Sequence, residues 1–133
     1  MSRLAAATIA RLGKGMRRVL LIAALFVSSP ALAVDPPYEP QMEQLAEDLG
    51  SLYFLTPLCR PTGPDWRAQM ADLIALDQPE EDRQQRLNGA FNTGYGAFSR
   101  LYRTCTPSAE QALQRLVTEA EALARDIHAR FAE

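Results

Sequence analysis

The sequence is poor in the residues that enzymes use for nucleophilic and metal chemistry. It has one histidine, His128, and two cysteines, Cys59 and Cys105, so it contains no His/Cys cluster with the spacing of a zinc site. No glycine-rich loop follows a strand to hold phosphate, and no serine lies in a nucleophile elbow. A hydrolytic triad would have to be built around His128 alone. We therefore predict that the protein is not an enzyme.

Apolar runs long enough to anchor the chain in a bilayer are also missing. The run Val19–Val27 is too short for an anchor, and it lies between a pair of arginines and the small-residue site Ala31-Leu32-Ala33. This order is typical of a secretory signal peptide cleaved after Ala33. The sequence thus predicts that residues 1–33 are removed and that the remainder is periplasmic, with no transmembrane anchor. Met16 is an alternative start, because it opens a well-proportioned signal peptide by itself.

Lysine is absent from the predicted mature chain, residues 34–133. These 100 residues hold nine arginines and sixteen acidic residues, a formal charge of −7. An acidic protein repels polyanions, so nucleic acid and acidic lipid surfaces are excluded as expected partners. The length supports one domain with one modest core. We expect a proline-rich arm at 34–40 and a single helical domain at 41–133.

No alternating β pattern of useful length occurs, and apolar residues instead recur at helical spacing. The pattern predicts an all-α, up-down bundle of four helices separated at prolines. The predicted helices cover 40–55, which Pro57 stops, then 64–77, 79–105 and 107–131. Thr106 is expected to cap the fourth helix, with Pro107 at its first position. The predicted inward stripe of the third helix is Leu87, Phe91, Tyr95, Phe98, Leu101 and Tyr102.

The two cysteines follow the predicted first and third helices, which end at the same pole of an alternating bundle. In an oxidising compartment such a pair forms a disulfide, here Cys59–Cys105; two buried thiols are the alternative. The bridge and the predicted topology therefore support each other.

The predicted third helix contains an unusual run of glycine and asparagine at 88–96. Each glycine in a helix interior costs about 1 kcal/mol relative to alanine, so something must offset the run. One interpretation is close packing against the first or fourth helix. The other is an aromatic-lined groove for a ligand or peptide. The candidate groove residues are Asn88, Phe91, Asn92, Gly94, Tyr95, Tyr102 and Arg103.

A second candidate site joins opposite ends of the chain. Met42 lies early in the first predicted helix and His128 late in the fourth, so an antiparallel arrangement brings them to one end. A Met/His pair across a bundle can ligate haem. His128 falls beside the apolar stripe, however, and no Cys-x-x-Cys-His motif is present. We therefore predict no cofactor or metal, and keep this pair as an alternative.

Several short motifs resemble a family of small exported alphaproteobacterial proteins of unknown function. They are Pro37-Tyr38-Glu39-Pro40, the segment 45–59, Trp66-Arg67-x-x-Met70, Phe91-Asn92-x-Gly94-Tyr95-x-x-Phe98 and Tyr102-Arg103-x-Cys105-Thr106-Pro107. The resemblance covers nearly all of the mature chain. It implies export, one compact domain and the two-cysteine pattern, and it assigns no catalytic residue.

Three functions remain open at this point. The expected one is a non-enzymatic interaction protein of the cell envelope, whose partner is an envelope protein or a small ligand. The alternatives are a small-ligand or haem carrier that uses the bundle interior, and a cell-wall hydrolase or its regulator.

Overall fold

Four helices make up the fold of residues 34–132, the part of the chain that the computed structural model describes. They are α1 (Glu39–Cys59), α2 (Trp66–Asp77), α3 (Glu81–Leu101) and α4 (Pro107–Phe131). The predicted all-helical fold is confirmed. None of these described helices has the length and apolar character needed to cross a membrane. The predicted signal peptide and the alternative start at Met16 lie outside the described residues.

Helix α1 is the central element, and the other three helices each pack against it. Trp66 at the start of α2 donates a hydrogen bond to Thr56 near the end of α1, while Tyr38 at the start of α1 donates to Asp77 at the end of α2. The two helices are therefore antiparallel. The core lies along α1 and is built from these buried residues: Met42, Leu45, Ala46, Leu49, Leu52, Leu55, Trp66, Met70, Leu87, Phe91, Ala109, Ala112, Leu113, Leu116 and Ala120.

Helix α1 does not stop at Pro57, as the sequence predicted, but continues to Cys59. Proline removes one helical hydrogen bond and disfavours the helical conformation of the residue before it. Here Pro57 lies in the last turn, where only its own donor to Tyr53 is lost, and the Arg60 amide still donates to the Thr56 carbonyl. The disulfide at Cys59 holds the final turn in place.

Side-chain caps fix the starts of α2 and α4. The Asp65 carboxylate accepts hydrogen bonds from the amides of Arg67 and Ala68. The Thr106 hydroxyl accepts from the amide of Ala109 and Pro107 follows it, as the sequence predicted. These caps satisfy donors that a helix leaves free in its first turn, so the sequence sets both starts locally.

Helix α3 is shorter than predicted, and its inward stripe is shifted. It begins at Glu81 rather than Pro79 and ends at Leu101, so Cys105 lies in the connection to α4. Its buried residues are Leu87, Phe91 and Gly94. Tyr95 is 41% exposed and Leu101 is 71% exposed, which corrects their predicted core positions. Because the buried row continues from Phe91 to Gly94, Tyr95 lies at the exposed edge of the α1–α3 interface, where its ring contacts Tyr53 and Phe54.

Two glycines let α1 and α3 pack backbone against backbone. A Cβ atom on Gly94 would overlap the carbonyl oxygen of Glu47, and one on Gly50 would overlap that of Phe91. The close-packing interpretation is thus confirmed for Gly94, with α1 as the partner. Gly89 is different, because a Cβ there would meet nothing.

The disulfide Cys59–Cys105 closes one pole of the bundle, as predicted. It ties the last residue of α1 to the segment just before α4, across a sequence separation of 46 residues. By constraining the unfolded chain, such a bridge stabilises a small domain.

The opposite pole is held by an ion network that the sequence analysis missed. Arg83 pairs with both Glu39 and Asp77, and all three side chains are about nine-tenths buried. Tyr38 donates to Asp77 at 2.8 Å and places its ring 5.3 Å from that of Phe131. This hydrogen bond and burial raise the pKa of Tyr38. The end of the proline-rich segment is therefore packed against the helices.

Candidate functional site

The first candidate site is an open cleft between α2 and α3. These two helices both pack on α1, and the space left between them has a volume of about 410 Å³. Its lining residues are Arg67, Met70, Ala71, Ile74, Gln84, Asn88, Phe91 and Asn92. Its volume lies within the range of ligand pockets, and its walls combine apolar and polar groups.

Three amide side chains form one row along the α3 wall of the cleft. Gln84, Asn88 and Asn92 follow each other at intervals of four residues, and all three are exposed. Residues at this spacing lie on the same helix face, with Cβ atoms about 6 Å apart. Each amide carries both donors and an acceptor, so the row can bind groups that also carry both.

A guanidinium group stands on the α2 wall. Arg67 is exposed and lies over the ring of Tyr53, with 5.6 Å between its Cζ atom and the ring centroid. Arg67 makes none of the ion pairs found among residues 34–132. The Tyr53 ring in turn packs against Phe91 and Tyr95. This contact positions a positive charge that is available to a carboxylate.

The floor of the cleft is apolar. Met70 and Phe91 are buried in the core, and Ile74 is half-buried beside them. The described lining contains no histidine, cysteine, serine, aspartate or glutamate. The cleft can therefore hold an apolar group between polar walls, but it supplies no general acid, general base or nucleophile.

The structure brings together only part of the groove proposed from the sequence. Asn88, Phe91 and Asn92 line the cleft. The other four residues lie elsewhere: Gly94 in the α1–α3 interface, Tyr95 against Tyr53 and Phe54, Tyr102 stacked on Phe98, and Arg103 exposed beyond the end of α3.

Met42 and His128 line a second groove, of about 430 Å³, between α2 and α4. His128 is exposed at its rim, whereas Met42 is 2% exposed and belongs to the core. The two side chains therefore share one groove but lie at different depths, the Met42 thioether in the core and the His128 imidazole at the rim.

Residues 34–132 offer no suitable set of ligands for a metal ion. The one set of potential ligands close enough together there is Cys59, Cys105 and Glu110. Both cysteines are joined in the disulfide, so they offer no thiolate.

Sequence reasoning missed two of the polar groups in the cleft, Arg67 and Gln84. The row at 84, 88 and 92 is readable as an i, i+4, i+8 repeat of amides on a predicted helix. Arg67 could not be assigned to the site, because its place depends on how α2 lies against α1.

Comparison with known proteins gives a family and no relative of known function. No curated protein and no solved structure is significantly similar to the chain. Residues 37–131 match a family described as a protein of unknown function, DUF2385. The match spans α1 to α4 and both cysteines. The chain therefore belongs to the DUF2385 family.

Proposed function

We propose that the protein is an exported, non-enzymatic binding protein of the cell envelope, and that it holds an extended segment of a partner protein in the α2–α3 cleft. The observation that carries the proposal is the row of amides at Gln84, Asn88 and Asn92. The absence of acid, base and nucleophile from the described cleft lining supports binding without catalysis.

The spacing of the row fits an extended peptide. The four-residue spacing along α3 advances each amide by about 6 Å along the helix axis. In an extended chain, every second residue presents its N–H and C=O groups to the same side, at a repeat of about 6.6 Å. Asn88 and Asn92 can each bind one such pair of backbone groups, and Gln84 a third. Main-chain recognition of this kind gives affinity, and the apolar floor gives selectivity for a side chain.

The Arg67 guanidinium sets the charge of the expected partner. It stands at the α2 wall without an ion pair among the described residues, and the Tyr53 ring restricts its position. A carboxylate on the partner would complete a charge-assisted hydrogen bond. We therefore expect an extended segment with an apolar residue at its centre and an acidic residue, or its free C-terminus, beside Arg67.

Selection from a random-peptide display library tests this proposal. The target is the protein expressed from the full-length sequence, exported and purified from the periplasm. We expect enriched peptides to carry a carboxylate near one end and to bind in a fluorescence polarisation assay. The double variant Asn88→Ala/Asn92→Ala should weaken binding at least tenfold, which corresponds to about 1.4 kcal/mol.

Matched controls separate the cleft from the rest of the surface. Gln85→Ala removes an exposed α3 amide that bonds Glu81 outside the cleft and should leave the affinity unchanged. Equal binding by the double variant and the unsubstituted protein would overturn the proposal, as would a selection that enriches no peptide.

A further inference from the structure

A third groove, between α1 and α4, contains a buried carboxylate without a counter-ion. The groove has a volume of about 470 Å³. At its floor, Asp48 is 3% exposed, and its Oδ1 atom accepts a hydrogen bond from the Gln44 amide at 3.0 Å. Its Oδ2 atom is buried and has no hydrogen-bond partner in the described part of the chain. Buried polar atoms are rarely left in this state, and a charged one carries a high cost.

Further acidic groups surround this carboxylate. Glu119 and Asp126 of α4 line the same groove, and the charges of Glu119 and Glu47 act on Asp48. Arg115 pairs with Glu119 and Arg130 with Asp126, but both are exposed contacts within one helix, which contribute little. No ion pair among residues 34–132 includes Asp48.

The remaining walls indicate what kind of cation fits. Ala122 and Leu123 lie between the two acidic residues of α4, so the groove alternates carboxylate, apolar surface and carboxylate. Glu119 and Asp126 are seven residues apart, about 10 Å along the helix axis. The acidic groove residues do not belong to the one described set close enough to chelate a metal ion. A flexible aliphatic chain with separated ammonium groups matches this pattern.

We propose that the α1–α4 groove binds a linear aliphatic polyamine, with one ammonium group on Asp48 and Glu119 and another on Asp126. The aliphatic spacer lies on Ala122 and Leu123. The exposed Gln44 side chain rotates away, and the ammonium group at the floor then donates to both carboxylate oxygens of Asp48, including the unpartnered Oδ2 atom. The site is separate from the peptide cleft and does not depend on the proposed function.

The proposal is tested by isothermal titration with spermidine at pH 7 and low salt, on the protein expressed from the full-length sequence and purified from the periplasm. We expect saturable binding that weakens at least tenfold in Asp48→Asn and in Glu119→Gln. Glu121→Gln removes the same charge from α4 outside the groove and should not change the affinity. The cleft variant Asn88→Ala/Asn92→Ala should also bind spermidine normally, so the two proposals can fail separately.

Two further probes define the ligand class. Nα-acetyl-lysine amide carries one alkylammonium group, as a partner's lysine does, and Mg²⁺ carries charge without an aliphatic chain. We expect both to bind at least tenfold more weakly than spermidine. Equal binding of either probe, or an equal loss of affinity in Glu121→Gln, would overturn the polyamine assignment. If Asp48→Asn does not fold, the Glu119→Gln result decides.

Discussion

Gly94 of α3 lies directly against the carbonyl oxygen of Glu47 in α1. At this point α1 and α3, the helix pair with the most extensive contact in the fold, meet without a side chain between them. The reciprocal contact at Gly50 lies one helical turn further along α1. This approach fixes the rotation of α3. It turns Leu87 and Phe91 into the core and leaves Gln84, Asn88 and Asn92 on the wall of the cleft.

Replacing Gly94 and Gly89 by alanine should have opposite effects. Gly94→Ala places a methyl group on backbone atoms that cannot rotate away, and we expect a loss of about 3 kcal/mol in the free energy of unfolding. Gly89→Ala adds a methyl group in open space and should gain about 1 kcal/mol from helix propensity. Urea denaturation of both variants measures the contrast; similar losses would contradict the close-packing account.

Removal of the disulfide should strongly destabilise the domain. The separation of 46 residues between Cys59 and Cys105 corresponds to about 4 kcal/mol by the chain-entropy estimate. We expect dithiothreitol to lower the urea midpoint of the oxidised protein accordingly. The variant Cys59→Ala/Cys105→Ala should already show the lower midpoint and should not respond to dithiothreitol. An unchanged midpoint on reduction would show that the bridge contributes nothing.

Arg83→Met should destabilise the pole opposite the disulfide. The arginine is 11% exposed and pairs with both Glu39 and Asp77, so its loss leaves the buried Asp77 without a cation and Glu39 with only its longer contact to Arg86. Breaking a buried pair in this way costs about 3 kcal/mol. Arg125→Met breaks only an exposed pair with Glu121 and should change stability by less than about 0.5 kcal/mol. Thermal unfolding of the two variants at pH 7 makes the comparison.

The titration of Asp48 should make the free energy of unfolding depend on pH. Burial, with the nearby charges of Glu119 and Glu47, raises the pKa of Asp48, although the Gln44 hydrogen bond opposes this. The folded state therefore holds the proton more tightly than the unfolded chain. The protonated Asp48 therefore stabilises the folded protein fully at a pH below the ordinary aspartate pKa. This contribution is lost as the pH rises through the raised pKa of Asp48 in the folded protein.

We therefore expect Asp48→Asn to raise the melting temperature at pH 7, by about 4 °C for a gain of about 1 kcal/mol. The gain should shrink toward pH 4, where the native carboxyl also becomes neutral. Glu121→Gln, on the exposed face of α4, should give no such difference. A gain that is equal at both pH values would contradict the assignment of a charged, buried Asp48.

The amino-acid sequence was a good guide wherever local chemistry decides the outcome. Thr106 and Pro107 set the start of α4 through their own backbone preferences, and the cysteine positions followed from the order of the helices. The close packing at Gly94 was also anticipated, because an interior glycine needs compensation. Each of these features depends on neighbours in sequence or on topology alone.

Features that depend on how helices cross could not be predicted in this way. Pro57 remains helical because it lies in the last turn of α1, which the disulfide ties to the segment before α4. Tyr95 leaves the core because the glycine contacts rotate α3. The pairing of Arg83 with Glu39 and Asp77 joins three helices, and Arg67 reaches the cleft only through its contact with Tyr53. The periodicity of apolar residues along the sequence does not specify the crossing angles between helices on which these contacts depend.

The most direct test of the central claim is a ¹⁵N–¹H NMR titration of the protein with a peptide from the display selection. Side-chain amides give their own signals in this spectrum. Peptide binding in the α2–α3 cleft predicts that the side-chain NH₂ signals of Gln84, Asn88 and Asn92 shift most, together with the Arg67 Nε–H, while that of Gln85 stays in place. Saturable binding that leaves the Asn88 and Asn92 signals unmoved would contradict the account.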